Sequence, residues 1–479
     1  MLTVSREDIE RRVRLDNPWW DAGAPPSPEH GYGRRVYFDP FSRLALDMTL
    51  RRATVLLGPR RVGKTVMAKQ LVYEAIRTGH APTDILYVSI DTPVYAGISL
   101  EKFLEFLPQG ETGRALVIFD EIQYLRNWET HLKDLVDTYP SIKFVATGSA
   151  AAALKVKSLE SGAGRFTDFV LPPLTFHEFL DFTGRDEELV EEYTEGEFRC
   201  RNIDELNAEF VNYLNYGGYP EVALSDSVRS DAGRFIKSDI IDKVLLRDLP
   251  SLYGISNIQE LNRLFSMLAY NTGGEVDLQG ISQISGLSKP SIQKYLTYLE
   301  SAFLIIRVQT VNDTCRTLAR QRNFKVYLNN PSMRSALFSP VTNDDSNRIG
   351  HLCEAAIFSQ WQHSTDFSNL RYARWKDGEV DMVYLEPSIQ RPYWAIEIKW
   401  SDRIKTDHRS VTDKMRHLLQ KNNSIEALMV TTKSVDGEID IEGLTLKYQP
   451  SAMHCYTVGR NVTRRKVRDM VSVVPRKAH

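Results

Sequence analysis

Cysteine is scarce in this chain of 479 residues. Cys200, Cys315, Cys353 and Cys455 lie far apart, with no CxxC pair and no metal-ligand spacing. That excludes a disulfide framework or a zinc module and suits a reducing compartment. No run of about 18 apolar residues occurs, the minimum for a membrane-spanning helix. The opening MLTVSREDIERRVRL lacks the apolar core of a signal peptide. An excess of one charge is missing too: 60 Lys plus Arg nearly balance 62 Asp plus Glu, so bulk charge does not make the chain a polyanion binder. These absences predict a cytoplasmic protein with no membrane partner.

What is present is the composition of a soluble globular protein, 42% hydrophobic and 25% charged. The length suits about three domains. Arg52-Ala-Thr-Val-Leu-Leu57 reads as a short buried strand that runs into GPRRVGKT, and VMAKQLVYEAIRTG follows with helical spacing. Strand, glycine loop and helix is the context that a G-x-x-x-x-G-K-[ST] pattern requires. Gly58 and Gly63 let the backbone curl so that its amides face phosphate oxygens, with the helix N-terminus behind them. Pro59, Arg60, Arg61 and Val62 complete the loop, and Val66 opens the helix. Lys64 is expected to reach the β- and γ-phosphates of ATP, and the Thr65 hydroxyl to hold Mg²⁺. Downstream, ALVIFDEIQYL reads as a buried strand ending in Asp120-Glu121. Asp120 is expected in the Mg²⁺ shell, and Glu121 as the group that orients or deprotonates the attacking water. ILYVSID and KFVATGSA read as further strands, the second placing Thr147 and Ser149 at its end, where either hydroxyl could sense the γ-phosphate.

GPRRVGKT, VIFDEIQYL, VATGSA and the following SGAGRFTDFVLPPLTFHEFL resemble the AAA-type P-loop ATPases. More narrowly, they resemble a prokaryotic group whose ATPase precedes a nuclease-like domain. The resemblance extends over nearly the whole chain and includes NPWW at Asn17–Trp20, where paired tryptophans are expected to pack. It implies that Arg165, near the end of the ATPase core, is a γ-phosphate-sensing or finger arginine; a surface salt bridge is the alternative.

Gly184 to Glu197 carries seven acids (Asp186, Glu187, Glu188, Glu191, Glu192, Glu195, Glu197) against Arg185, and reads as a solvated helix or connector marking a domain boundary. From Glu260 to Val308 the pattern suggests a winged helix-turn-helix. Ile281, Ile284 and Leu287 are expected to face inward, and Ile292, Tyr295, Leu296 and Leu299 form one stripe. Lys289, Ser291, Gln293, Lys294 and Thr297 lie outward, where they either meet DNA or leave the module as a packing unit.

In WAIEIKW the residues alternate, so Glu397 and Lys399 share one strand face. Asp381 is out of phase with Val380 and Met382, and an antiparallel neighbour would bring it beside Glu397. Two carboxylates that close repel unless a cation lies between them. Mg²⁺ suits such a pair, with Lys399 positioning a water or offsetting negative charge. A helical Glu354 followed by Asp381 and Glu397-Ile398-Lys399 resembles the PD-(D/E)xK nuclease superfamily, with Val380 in place of the proline. The resemblance implies either metal-dependent cleavage or a nuclease fold that binds DNA without cutting; a plain surface hairpin is the third reading. The basic end, with Arg460, Arg464, Arg465, Lys466, Arg468, Arg476 and Lys477 against Asp469, reads as a disordered tail or a phosphate contact.

The expected fold class is α/β: a P-loop ATPase domain with a parallel sheet (1–183), a helical winged-helix region (184–310), an α/β nuclease-like domain (311–456) and a basic tail (457–479). The expected function is ATP-dependent action on DNA, in which the ATPase controls a Mg²⁺-dependent nuclease-like module, in genome maintenance or defence against foreign DNA. The alternative is a nucleotide-switched DNA- or protein-binding ATPase. Self-association into a homo-oligomer is left open.

Overall fold

The computed structural model describes residues 5–21, 28–108, 114–148, 164–316, 323–441 and 443–473. The chain divides into two compact units, Met1–Pro172 with Val467–His479, and Pro173–Lys466.

The first unit is built on five parallel strands: β1 (Ala53–Leu57), β2 (Ile85–Ser89), β3 (Ala115–Asp120), β4 (Ile142–Gly148) and β5 (Phe166–Val170), in the order β2-β3-β4-β1-β5. Val55 to Leu57 and Leu116 to Phe119 are almost completely buried, as strands covered on both faces must be. α1 (Arg6–Asp16) leads into the two tryptophans, which pack as expected. Trp19 and Trp20 both donate their indole N–H to the Ile85 carbonyl, at 3.2 and 2.8 Å. Asn17 accepts from the Tyr87 amide at 2.7 Å and donates to the Tyr87 carbonyl at 2.9 Å. The amino-terminal segment is thereby fastened to β2. α2 (Phe38–Leu46), α3 (Lys64–Arg77) and α4 (Trp128–Thr138) bury Phe41, Leu71 and Leu132.

The second unit begins with α5 (Phe176–Phe182), capped reciprocally by Thr175 and Glu178. The acidic stretch after Gly184 is not the expected long helix or connector. It folds as one helical turn, Asp186–Leu189, and a hairpin of β6 (Val190–Thr194) and β7 (Glu197–Cys200) that turns at Gly196 with φ +80°. Alternation buries Val190 and Phe198 and leaves the acids in solvent. α6 (Ile203–Tyr216) follows.

Next come α7 (Ile258–Tyr270), β8 (Glu275–Asp277), α8 (Leu278–Ser285), α9 (Lys289–Ser301), β9 (Ile305–Val311) and β10 (Asn323–Leu328). Ile281 and Leu287 are buried as expected, but Ile284 is 78% exposed. α8 is only two turns long and ends at Gly286 in the left-handed conformation, so its apolar stripe is too narrow to cover all three. On α9, Ile292, Leu296 and Leu299 are buried; Lys289, Gln293, Lys294 and Thr297 are exposed, and Ser291 is half-buried.

The remaining strands are β11 (Leu370–Trp375), β12 (Gly378–Glu386), β13 (Arg391–Glu397), β14 (Ala427–Thr432), β15 (Gly437–Ile441) and β16 (Leu444–Pro450). With β8 to β10 they form one nine-stranded sheet, ordered β15-β16-β14-β13-β12-β11-β9-β10-β8. The expected division at 310/311 runs through β9, which pairs with β10 on one side and with β11 on the other. Adjacent residues of β12 and β13 enter opposite cores. Met382 and Ile396 join Leu352, Ala356 and Phe358 of α11 (Ser346–Trp361). Val383 and Ala395 join Met415 and Leu418 of α12 (Arg409–Lys421). α10 (Ser332–Leu337) precedes α11.

Ser451–Val473 forms α13, so the expected disordered tail is helical through Val473. Its arginines are held by carboxylates: Arg464 grips Glu192 through two bonds of 2.6 and 2.8 Å, and Arg465 meets Asp366 at 3.2 Å.

Gly217 and Gly218 end α6 where no larger residue fits. A Cβ on Gly218, at φ +91°, would stand 2.4 Å from the Asn330 side chain. Gly218→Ala is expected to destabilise the second unit by roughly 1–3 kcal/mol, read as a lower urea midpoint; an unchanged midpoint would mean that the turn can relax.

Candidate nucleotide site and acid cluster

β1 ends at Leu57, and the loop that follows is shaped by close backbone approach. A Cβ on Gly58 would lie 2.3 Å from the Leu171 carbonyl oxygen, so only glycine is accommodated. Gly63 takes φ +96° and is followed at once by Lys64, the first residue of α3. Lys64 is buried and donates to the loop carbonyls of Gly58 and Pro59, at 3.1 and 2.7 Å. Arg60 donates to the Tyr124 hydroxyl at 2.8 Å. Arg35, which the sequence reading did not single out, is buried and spans the loop. Its guanidinium donates to the carbonyls of Val62 and Pro172, each at 3.0 Å. A lone arginine ahead of the motif carries no spacing signal that could have revealed it.

β4 lies between β1 and β3, so the loop and the end of β3 face each other across the tip of β4. Asp120 there is 2% exposed and gathers three hydroxyls. Thr65 donates to Oδ2 at 2.8 Å, Tyr87 to the same oxygen at 2.7 Å, and Thr147 to Oδ1. Thr147 also accepts from the Glu121 amide at 3.1 Å, so it fixes the backbone between the two acids. Of the two hydroxyls proposed at this strand end, Thr147 is in the site; Ser149 lies outside the described residues. Tyr87 was missed, because a tyrosine inside an apolar strand reads as core.

Glu121 adopts φ +55°, which aims its side chain away from the strand, and Gln123 donates to its carboxylate. Burial pushes the Glu121 carboxyl above its ordinary value, Lys64 opposes this, and the Asp120 charge adds to it. The Thr65 hydroxyl and the Asp120 carboxylate form an all-oxygen donor pair of the kind Mg²⁺ takes. Arg165 stands apart. It precedes β5, which runs parallel to β1 with Ala53 opposite Phe166, and so lies at the amino edge of the sheet, paired with Asp137. Five residues of strand, about 16 Å, separate that edge from the loop. The expectation of a γ-phosphate sensor within its own chain is therefore corrected. A finger reaching another copy is untouched by this placement.

In the second unit, β12 and β13 are antiparallel with Met382 opposite Ile396, which brings Asp381 beside Glu397. Asp381 Oδ2 accepts from the Ile398 amide at 2.8 Å and lies 3.5 Å from Lys399 Nζ. Lys399 Nζ is 2.8 Å from Glu397 Oε1, and Lys414 of α12 meets the same oxygen at 2.7 Å. Glu397 is 1% exposed, and its Oε2 has no hydrogen-bond partner. Glu354, on α11, joins the cluster through Lys325, which had not been anticipated. That buried ammonium is 3.3 Å from Glu354, 2.6 Å from Glu379 and 3.7 Å from Asp381. The Tyr327 hydroxyl donates to Glu354 at 2.9 Å. Among the described residues no group of three or more His, Cys, Asp or Glu side chains is arranged to hold a metal ion. Lysines offset the carboxylates instead. Burial opposes the charge on Lys399, yet Asp381 and Glu397 hold its pKa above the ordinary lysine value.

Comparison with known proteins bears on the domain that carries the first of these two sites. Residues 50–180 match the family described as "AAA domain". They form an AAA-type P-loop domain. Residues 207–345 match a domain of unknown function, DUF8612, a span that includes α7 to α9 and β8 to β10. An uncharacterized protein of Methanocaldococcus jannaschii is 25% identical over 386 residues, 77% of this chain and 81% of that protein. One of Haemophilus influenzae is 27% identical over 264 residues, 53% of this chain and 62% of that protein. Among solved structures, a Walker-type ATPase of Pyrococcus abyssi aligns with a TM-score of 0.41 at 17% identity, covering 67% of this chain and 99% of that one. Beyond the AAA domain no helix among the described residues is long and apolar enough to cross a membrane.

Burial and the Asp381 charge push the Glu354 carboxyl up to about 7, against an ordinary value of 4.5. Between those values the folded chain keeps a proton that the unfolded chain has lost, so stability falls as pH rises through that interval and levels off above it. The urea midpoint should follow this course in the wild type and be flatter in Glu354→Gln, whose amide does not titrate. Equal slopes in the two proteins would move the titration to another group.

Proposed function

We propose that this protein binds and hydrolyses ATP with Mg²⁺ and uses the cycle to control a DNA-acting module with a nuclease-like fold. The observation that carries the first part is the meeting of Thr65, Asp120 and Glu121 at the loop. Thr65 and Asp120 would hold the ion, which screens the phosphate charge; Lys64 would leave the loop carbonyls for the phosphates. Glu121, buried and beside Asp120, would orient the attacking water. Lys64→Ala should lower ATP turnover by at least about a hundredfold. Glu121→Gln should keep ATP bound while slowing hydrolysis by roughly 10²–10⁴. Full turnover in the lysine variant would remove the assignment, and full turnover in the glutamine variant would move the base elsewhere.

The second part is supported by the juxtaposition of Asp381, Glu397 and Lys399 and by the partnerless buried Oε2 of Glu397. These oxygens suit a divalent cation, which would supply an acidified water and charge stabilisation. Lys325, an ammonium among Glu354, Glu379 and Asp381, favours a second reading in which the module holds DNA without cutting it. The order α7-β8-α8-α9-β9-β10 supports a winged-helix reading, with Lys289, Gln293 and Lys294 exposed on α9 as a thin basic footprint. Cleavage of labelled DNA in Mg²⁺ or Mn²⁺, with and without ATP, decides between the readings. The cutting reading expects loss of activity by about 10² or more in Asp381→Ala and Lys399→Ala. Binding with no cleavage on any substrate selects the other.

A further inference from the structure

A cavity of about 480 Å³ opens beside the acid cluster, and Lys325, Glu354 and Glu379 belong to both. Its other walls carry several basic side chains, one acid, Glu275, and one aromatic ring. Arg334, Arg348, His351 and Arg374 line it, with the Asn271–Gly274 turn and Tyr270. Arg374 is already paired, with Glu275 at 3.3 Å and Glu379 at 3.2 Å. Arg334 is placed differently. Its Nη1 is buried without a hydrogen-bond partner, and the Arg348 charge bears on it. The Asp345 charge, which also pairs with Arg348, offsets that repulsion in part, and a further anion would relieve the rest. Arg348 contacts Asp345 at 3.1 Å and donates to the Ser339 hydroxyl at 3.4 Å, and it remains half exposed.

Two aromatic rings stand beside these arginines without the burial that rings normally have. Tyr270 is 69% exposed and Phe338 43% exposed; they meet edge to face at 5.7 Å, and Arg334 lies over the Phe338 ring at 5.5 Å. Exposed rings beside guanidinium groups are what an unpaired base and its phosphate require. A duplex offers base edges, its faces being stacked on one another. The cavity volume is that of a pocket for a nucleotide-sized group.

We propose that this cavity receives a single strand of DNA, Arg334 and Arg348 taking a backbone phosphate and the Tyr270–Phe338 pair stacking a base, so that an adjoining phosphodiester faces the acid cluster. The proposal rests on the DNA-acting reading of the second unit and names its substrate as an unpaired strand or a frayed end.

Binding without cleavage tests it, with the full chain in EDTA and a fluorescein-labelled thymidine oligomer of about 12 nucleotides, compared with a blunt duplex. The single strand should bind the wild type more tightly than the duplex. The pair Arg334→Gln and Arg348→Gln should weaken it at least about tenfold and reduce the slope of log affinity against log salt by about 1.4, two contacts at about 0.7 each. Tyr270→Ala, which removes an exposed ring and leaves the core intact, should weaken it about five- to tenfold with little change in slope. Single-strand affinity unchanged in both variants, or a wild-type preference for the duplex, overturns the cavity assignment while the DNA-acting reading stands. Failure of the wild type to bind either DNA overturns both.

Discussion

The first unit depends on one buried carboxylate. Asp120 is enclosed at the end of β3, where an unpaired charge would cost several kcal/mol, and three hydroxyls from three elements converge on it. Thr65 ties it to the head of α3, Tyr87 to β2 and Thr147 to β4. The registration of three strand ends and one helix therefore depends on a single acid. All three donors are neutral, so the carboxylate is satisfied while its charge remains uncancelled. A cation arriving beside Thr65 would meet that charge undiminished. Glu121, next in the chain, is turned out of the strand by its positive φ, and its amide rests on Thr147. The two acids thus differ in setting: Asp120 is enclosed by three hydroxyls, and Glu121 accepts from Gln123 beside it.

The second unit meets the same electrostatic problem with charged partners. Glu354, Glu379, Asp381 and Glu397 crowd one end of the sheet, where the repulsion would be severe if all were ionised and alone. Lys325, Lys399 and Lys414 supply ammonium groups within ion-pair distance, yet burial, with the Asp381 charge adding to it, still raises the affinity of Glu354 and Glu397 for protons. Burying such a cluster adds little stability in itself, since desolvation consumes most of the Coulomb gain. Breaking it by removing one lysine would leave acids uncompensated. The cluster is therefore no strong source of stability, although each of its lysines is needed once the acids are buried.

What was legible in the sequence followed from how local each signal was. The glycine loop, the acidic strand end and the alternation through Glu397 and Lys399 are short-range patterns, and strand phase allowed an antiparallel neighbour to bring Asp381 beside Glu397. The partners that complete both sites come from distant segments. Arg35, Tyr87 and Lys325 each reach their site through tertiary packing, and nothing in their own neighbourhoods distinguishes them from ordinary residues. Ile284 failed for a related reason. Helical spacing predicts which face a residue occupies, but not whether a helix of two turns has anything to cover that face. Of the two readings of the basic end, disorder fails as far as Val473, because Arg464 and Arg465 find carboxylates on β6 and near β11.

The continuity of the large sheet sets a mechanical constraint on any use of the second unit. β9 pairs with β10 on one side and with β11 on the other, so α9, which leads into β9, and the acid cluster are anchored to one hydrogen-bonded surface. Central strands of such a sheet move together, because shifting one by a single residue would invert which side chains are buried. The turn ahead of β8, which lines the cavity, and Lys325 on β10, which lines it too, belong to that same surface. DNA held against α9 would therefore keep a fixed geometry to the cavity and to Asp381 and Glu397. Control by a nucleotide would have to act by admitting or excluding the strand, since the sheet leaves the site little freedom to be rearranged from within.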